Sequence, residues 1–462
     1  MGGRRVRALN AVAAAVAWAT VAWATVAWAT VAWAAVTLWG GSVQADTPGG
    51  PVQFIPHLVY RTGPYAPTGI PLADGMADYF TLINARDGGV GGVRLAFEEC
   101  DTAYSTDRGI ACYEALKAKG PTGAAVVLPL STGITYALIE RTRADRIPLF
   151  SSGYGRADAG DGRVFPYVFT LPASYWTGAD AAVTHIARGL GGTAALKGRR
   201  IALVHHDSAF GREPIPLLEE LSARYGFVFE SFPVAPPGLE QKAVWLQVAR
   251  QFRADDVLLW GWGVLNSAAL KEAAAVGFPA DRIIGVWWAG SEQDVLPAGD
   301  AARGYKALAF HATGDRFPAI DAIRRHVVER GRAAGDGSHV GSVLYNRGLY
   351  NAVVVVEAIR TAQRRFGARP LTGEEVRWGF ESLNLTAETI RSLGLEGFMA
   401  PLRITCTDHE GMTPIRIQQW TGSAWVPASD WIEPDRALIR TLVERSAAVY
   451  AADKRIVPRS CP

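Results

Sequence analysis

From residue 52 onward, short β-branched and apolar runs alternate with stretches whose apolar residues recur every three or four positions. That is how a parallel sheet covered by helices is written in sequence. The first series predicts strands over 54–60, 93–98, 124–128 and 147–151. Between the first two, Leu72, Met76, Tyr79 and Ile83 place one apolar stripe on a helix, which Gly88-Gly89 and Gly91-Gly92 then break. Ile110, Tyr113 and Leu116 mark another helix, stopped by Gly120-Pro121. A second series after Pro172 repeats the rhythm, with strands over 200–204, 227–232, 257–260 and 282–287. Its helices run through 215–221, where Pro214 and Pro216 suit the first turn, through Trp245 and Val248, and through Leu270 and Ala274. Beyond 312 the order changes: helices over 320–332, 344–365 and 374–383 precede strands at 402–406 and 415–420. A chain that returns in this way to each of two α/β units predicts a two-lobed body with several crossovers.

Residues 1–45 break the pattern. Arg4, Arg5 and Arg7 precede an apolar stretch over 11–39 built from near-copies of Val-Ala-Trp-Ala-Thr, and Val43-Gln44-Ala45 offers small side chains at the cleavage-recognition positions before Asp46. The segment reads as an export signal removed after Ala45. At about 1.5 Å per residue the apolar stretch is also long enough to span a bilayer, so an uncleaved anchor is the other reading. Charge narrows the partners further. Of 47 basic side chains against 44 acidic ones, three are the leader arginines, so the remaining chain is formally neutral. That argues against a general nucleic-acid binder or a polybasic membrane-surface protein. With 462 residues, 49% of them hydrophobic, the chain can bury a large core, most readily in two domains.

Four cysteines, Cys100, Cys112, Cys406 and Cys461, form no CxxC pair and no zinc-ligand spacing with histidine, which points to two disulfides in an oxidising compartment. Three pairings are open. Cys100 with Cys112 and Cys406 with Cys461 is favoured, because it closes one short loop and staples the tail to the body.

Catalytic and nucleotide signatures are weak. Gly261-Trp262-Gly263 follows a strand, but Trp262 obstructs the backbone approach that a pyrophosphate requires, and Asn266 stands where a third glycine belongs. Gly88 to Gly92 precede a strand rather than a helix and read as a turn. There is no G-x-S-x-G elbow and no HExxH. His205-His206-Asp207 would send its imidazoles to opposite sides of a strand end, and Asp408-His409-Glu410 reads most simply as a solvated turn. No metal, cofactor or catalytic set is expected. Small hydroxyls and aromatics do stand out after the strands, at the edge where open α/β sheets bind ligands. Ser131-Thr132-Gly133 lead into a helix and suit either a carboxylate or an ordinary N-cap. Tyr154-Gly155, Phe210-Gly211, Trp260 to Gly263 and Trp287-Trp288 supply flat walls beside glycine.

Gly63-Pro64-Tyr65-Ala66, the run from Ile83 to Gly92, Pro129-Leu130-Ser131-Thr132-Gly133, and Ile201 to Asp207 with Phe210-Gly211 resemble the periplasmic solute-binding proteins of branched-chain amino-acid-type ABC transporters, over about 52–425. The resemblance implies a type I periplasmic-binding fold: two Rossmann-like lobes with parallel sheets, joined by three hinge crossovers and closing on a ligand. Crossings are expected near Pro172, His311 and Ala400, giving a first lobe of 46–171 with 312–399 and a second of 172–311 with 400–462, which includes the tail. By position Ser131, Thr132, Tyr154 and Gly155 match the family's carboxylate-holding loops, Tyr65 and Thr68 a flanking loop, Phe210 a stacking residue, and Trp262 and Trp288 further walls. The acid that pairs with a ligand ammonium has no counterpart in register; Glu292 stands a few positions away, and Gly155 replaces a usual hydroxyl. The implied role is a periplasmic, monomeric receptor handing a small amino acid or aromatic acid to an inner-membrane permease. A ligand-sensing ectodomain is the second reading and a hydrolytic α/β enzyme the third.

Overall fold

The computed structural model describes residues 50–461; the leader, its cleavage after Ala45 and the anchor reading lie outside the described residues. β1 (Val52–Val59) has all but its first residue buried, as expected of a strand covered on both faces. It pairs in parallel with β2 (Arg94–Asp101), Val52 opposite Arg94 and Val59 opposite Asp101. On its other side a bridge joins His57 to Leu128, a second joins Val127 to Leu149, and β3 (Leu149–Phe150) pairs in parallel with β4 (Val168–Phe169). The strands expected over 124–128 and 147–151 are therefore much shorter ladders. Pro129 and Pro148 bring no N–H to the sheet, which limits both.

The second sheet is built from β5 (Arg200–His206), β6 (Val228–Val234), β7 (Asp256–Trp260), β8 (Ile283–Gly285) and β9 (Lys306–Ala309), in the order β6-β5-β7-β8-β9 and all parallel. After the small pair β10 (Asn384–Leu385) and β11 (Leu402–Arg403), β12 (Arg416–Trp420) and β13 (Trp425–Pro427) extend this sheet antiparallel beyond β9. The strand expected over 282–287 stops at Gly285, and a tight helical turn over Trp287–Ala289 follows. β9, β13 and the last helix, Arg436–Lys454, were not foreseen.

Three stretches carry the chain between the sheets and run beside one another. His311 bridges Met399, the Thr170 N–H donates to the His409 carbonyl at 3.0 Å, and the Thr413 N–H donates to the Pro172 carbonyl at 2.9 Å. The third crossing comes later than Ala400. Leu402 still pairs with Leu385, and His409 stacks on Phe169 at 4.1 Å, so residues 402–409 stay beside the first sheet because their apolar partners lie there. The tail departs from expectation too: Tyr450 stacks on Phe165 at 4.7 Å and Ala447 joins the first-sheet core, whereas Asp435 pairs with Arg224 on the second side at 2.8 Å. The disulfides join Cys100 to Cys112 and Cys406 to Cys461.

Helix Ala66–Asp87 is buried almost all round and packs closely on helix Val343–Phe366. Glycine permits the close crossing: a Cβ on Gly75 would lie 2.1 Å from the Tyr345 carbonyl oxygen, and one on Gly348 2.1 Å from that of Leu72. No helix among the described residues is long and apolar enough to cross a membrane.

Candidate functional site

The two sheets present their C-terminal strand ends to each other, and aromatic side chains meet there. From the first side come Tyr60 and Tyr65 after β1, Tyr104 after β2 and Tyr154 after β3; from the second come Phe210 after β5, Trp262 after β7, and Trp287 and Trp288 after β8. Tyr65 stacks on Trp262 (centroids 6.2 Å apart, planes 18° apart) and Tyr154 on Trp288 (4.3 Å, 26°). Tyr104 and Tyr60 lie 6.1 and 6.2 Å from Trp262, and Trp262 meets Trp288 edge-on at 5.3 Å. Tyr175, at the start of helix Tyr175–Gly189, stacks on Trp287 at 5.5 Å and faces Phe210 at 5.3 Å. Such offset and edge-on pairs add to plain area burial.

Polar contacts also cross between the sides. The indole N–H groups of Trp287 and Trp288 both donate to the Gly153 carbonyl at 2.7 Å. Gly153 has φ +64°, and a Cβ there would sit 2.8 Å from the Trp287 nitrogen, so the turn needs glycine. The Tyr65 hydroxyl lies 3.4 Å from His206 Nε2. Glu213 accepts from the Tyr136 hydroxyl and, at 2.6 Å, from the Ala157 N–H; burial pushes its carboxyl up to about 7. Beside it Tyr136, Arg156, Trp176 and Arg212 line a groove of about 370 Å³.

Ser131 caps helix Thr132–Asp145, its Oγ accepting from the Ile134 N–H, and Thr132 Oγ1 accepts from the Gly155 N–H at 3.2 Å. Thr68 donates to the Tyr65 carbonyl at 2.7 Å. In the same buried region several polar atoms have no hydrogen-bond partner among the described residues: the hydroxyls of Tyr60, Tyr154 and Tyr175, Ser152 Oγ, the indole nitrogens of Trp260 and Trp262, and Nη2 of Arg347. Burial raises the tyrosine hydroxyls well above their ordinary range, so all are protonated donors at neutral pH.

Nine of the ten residues singled out in the sequence thus stand around one aromatic junction: Tyr65, Thr68, Ser131, Thr132, Tyr154, Gly155, Phe210, Trp262 and Trp288. Glu292 is not among these ring and hydrogen-bond contacts. Its carboxylate accepts from the Val343 N–H at 3.1 Å and borders a separate cavity of about 370 Å³ with His311, Arg316 and Arg416. The turn Asp408-His409-Glu410 is not solvated as expected: His409 and Glu410 are fully buried under the crossing segments. Sequence reasoning missed Tyr60, Tyr104, Tyr175 and Arg347. The strand-end rule that found Tyr65 also covers Tyr60 and Tyr104, whereas a single arginine inside a helix carries no such signal.

Among the described residues no group of three or more His, Cys, Asp or Glu is placed to hold a metal. The family model described as "periplasmic binding protein" matches residues 52–424. A structure from the Pseudomonas fluorescens group, described as an ABC transporter permease, is 45% identical, covers 89% of this chain and 100% of its own, and superposes with a TM-score of 0.85. A branched-chain amino acid ABC transporter protein from Thermus thermophilus with bound valine is 24% identical over 85% of this chain and 99% of its own, with a TM-score of 0.70. An R. palustris solute-binding protein in complex with benzoate is 16% identical over 83% and 97%, with a TM-score of 0.63. At those identities the last two speak for the fold. Comparison with curated proteins found no significant match. The two parallel-dominated sheets, the three crossings and the family match over most of the length place this chain in the periplasmic binding protein family, with the type I fold.

Proposed function

We propose that the protein is an exported, monomeric solute-binding protein of an ABC importer, which closes two lobes on a small carboxylate-bearing solute, an amino acid or an aromatic acid, and passes it unreacted to an inner-membrane permease. One observation carries this reading: Tyr65 on Trp262 and Tyr154 on Trp288 are stacked pairs whose members come from opposite sheets, so the ligand edge of each α/β unit faces the other. Binding at such an edge follows from the strand ends and loop N–H groups gathered there, and closure needs only that the solute prefer the shut form. Three neighbouring crossings suit a hinge. The leader pattern and two disulfides support export to an oxidising compartment.

The test is native mass spectrometry of the protein purified from its source, followed by small-angle scattering after the bound solute has been stripped and returned. A copurifying small molecule whose return compacts the protein is the expected result. No bound molecule, and no compaction by any member of a metabolite library, would refute the reading.

A further inference from the structure

We propose that Arg347 is the anion anchor of this junction, and that the solute it holds is a flat aromatic carboxylate without an ammonium group; this rests on the solute-trap reading above. Arg347 lies on helix Val343–Phe366 next to Gly348, whose missing side chain lets the helix sit against Leu72. It is 0% exposed. Its guanidinium packs over the rings of Trp288 and Phe310, both at 4.7 Å. Nη1 donates to the Trp287 carbonyl at 2.6 Å and Nε donates to His311 Nε2 at 3.0 Å. His311 Nδ1 is 3.0 Å from the Ala312 carbonyl, so the imidazole carries its proton there and accepts at Nε2. Burial and the Arg347 charge keep that ring neutral. The guanidinium is thus fixed on two sides, and Nη2 is left without a partner.

A buried cation without a paired anion is costly. The acids whose charge reaches Arg347 are engaged elsewhere. Asp294 accepts from the Ser291 N–H at 2.8 Å, the Ser291 hydroxyl at 2.6 Å and Asn266 Nδ2 at 2.7 Å, and Glu292 holds the Val343 N–H. Glu213, across the junction, already accepts from Tyr136 and Ala157. Nη2, the hydroxyls of Tyr60, Tyr154 and Tyr175 and the Trp262 indole N–H stand at this junction as donors without a partner, beside the neutral amide oxygens of Asn266, Asn346 and Asn351. A carboxylate can accept from Nη2 and the neighbouring hydroxyls, whereas an ammonium placed beside Arg347 would meet a like charge. The tyrosine and tryptophan faces now stacked on each other are flat surfaces that an opened junction would offer to a ring. Burial lowers the guanidinium to about 9, so it remains charged at neutral pH.

The test titrates the stripped protein by calorimetry with benzoate, phenylacetate and indole-3-acetate, with their primary amides, and with phenylalanine. At least one acid should bind at least about 30-fold more tightly than its amide and than phenylalanine, the lower bound for a buried charged hydrogen bond. Arg347→Met should erase that preference while leaving the amide's affinity in place, and Arg347→Lys should restore part of it. Equal binding of acid and amide, or unchanged acid binding by Arg347→Met, overturns the assignment. Should Arg347→Met not fold, the wild-type acid–amide comparison decides alone. A copurifying or tighter-binding solute without an acidic group refutes the anchor but keeps the trap. No saturable binding by any probe, together with no copurifying solute, refutes both.

Discussion

Replacing Glu410 by Gln should remove a defined part of the protein's pH dependence. Glu410 is fully buried where the third crossing meets helix Tyr175–Gly189; its Oε1 accepts from the Ser174 N–H at 2.7 Å and from the Thr177 hydroxyl, and its Oε2 has no partner among the described residues. Burial pushes its carboxyl up from 4.5 to about 7. Between those values the folded state keeps a proton that the unfolded chain has released, so stability falls as pH rises through the window and levels off above it. Working the two values through proton linkage gives a loss of about 2–3 kcal/mol between pH 5 and pH 8. Glutamine keeps the two accepted hydrogen bonds and does not titrate, so the Glu410→Gln protein should lack this component. Glu213, Asp180 and Asp294, also raised by burial, titrate alike in both proteins and cancel from the difference. Urea unfolding followed by tryptophan fluorescence at several values from pH 5 to pH 8 measures it. Wild-type and variant curves that run parallel over this range would show that Glu410 is not the titrating group.

Three other outcomes are expected. Cys406→Ser opens a 55-residue loop and Cys100→Ser a 12-residue one, so chain entropy puts the losses at about 4 and about 3 kcal/mol, with the tail disulfide the larger in non-reducing denaturant titrations. Gly348→Ala places a Cβ 2.1 Å from the Leu72 carbonyl oxygen and should cost about 1–3 kcal/mol by thermal or urea unfolding, since backbone atoms give way less readily than side chains. Burial works against the Glu381 charge, but hydrogen bonds from His409 and Arg459 and the Arg377 charge bring its carboxyl down to about 2. Its stabilisation is therefore present above 4.5 and lost as pH falls toward 2, and Glu381→Gln should flatten the acid limb of a pH–stability profile.

The parts of the fold legible in sequence are those in which local pattern and tertiary role agree. β5 and β7 read clearly because strands buried on both faces are largely apolar, and helix Ala66–Asp87 reads clearly because Leu72, Met76, Tyr79 and Ile83 recur at helical spacing. β9 is four residues long and has no β-branched residue, and β13 has three residues ending in Pro427, so neither carries enough pattern to be seen. Asp408-His409-Glu410 is polar and looks like a solvated turn; its burial comes from segments more than two hundred residues away, Thr170 and Ser174 among them. The same division runs through the candidate site. Tyr65, Tyr154, Trp262 and Trp288 follow from the rule that ligands lie beyond the strand ends.

Arg347 does not follow from that rule, because it comes from a helix and because an arginine among apolar residues is usually a solvated face. Yet its local sequence holds a clue: the positions three and four residues away on either side are Val343, Leu344, Tyr350 and Asn351, none of them acidic. A helical arginine on a surface commonly has a carboxylate at that spacing, and its absence together with full burial leaves the charge to be balanced by something outside the helix. Trp288, Phe310 and His311 hold the guanidinium in place without neutralising it. On the anchor proposal the aromatic faces give shape and the arginine gives sign, and the two come from different elements, so Arg347→Met should alter the preference for acid over amide while leaving the preference among ring shapes in place.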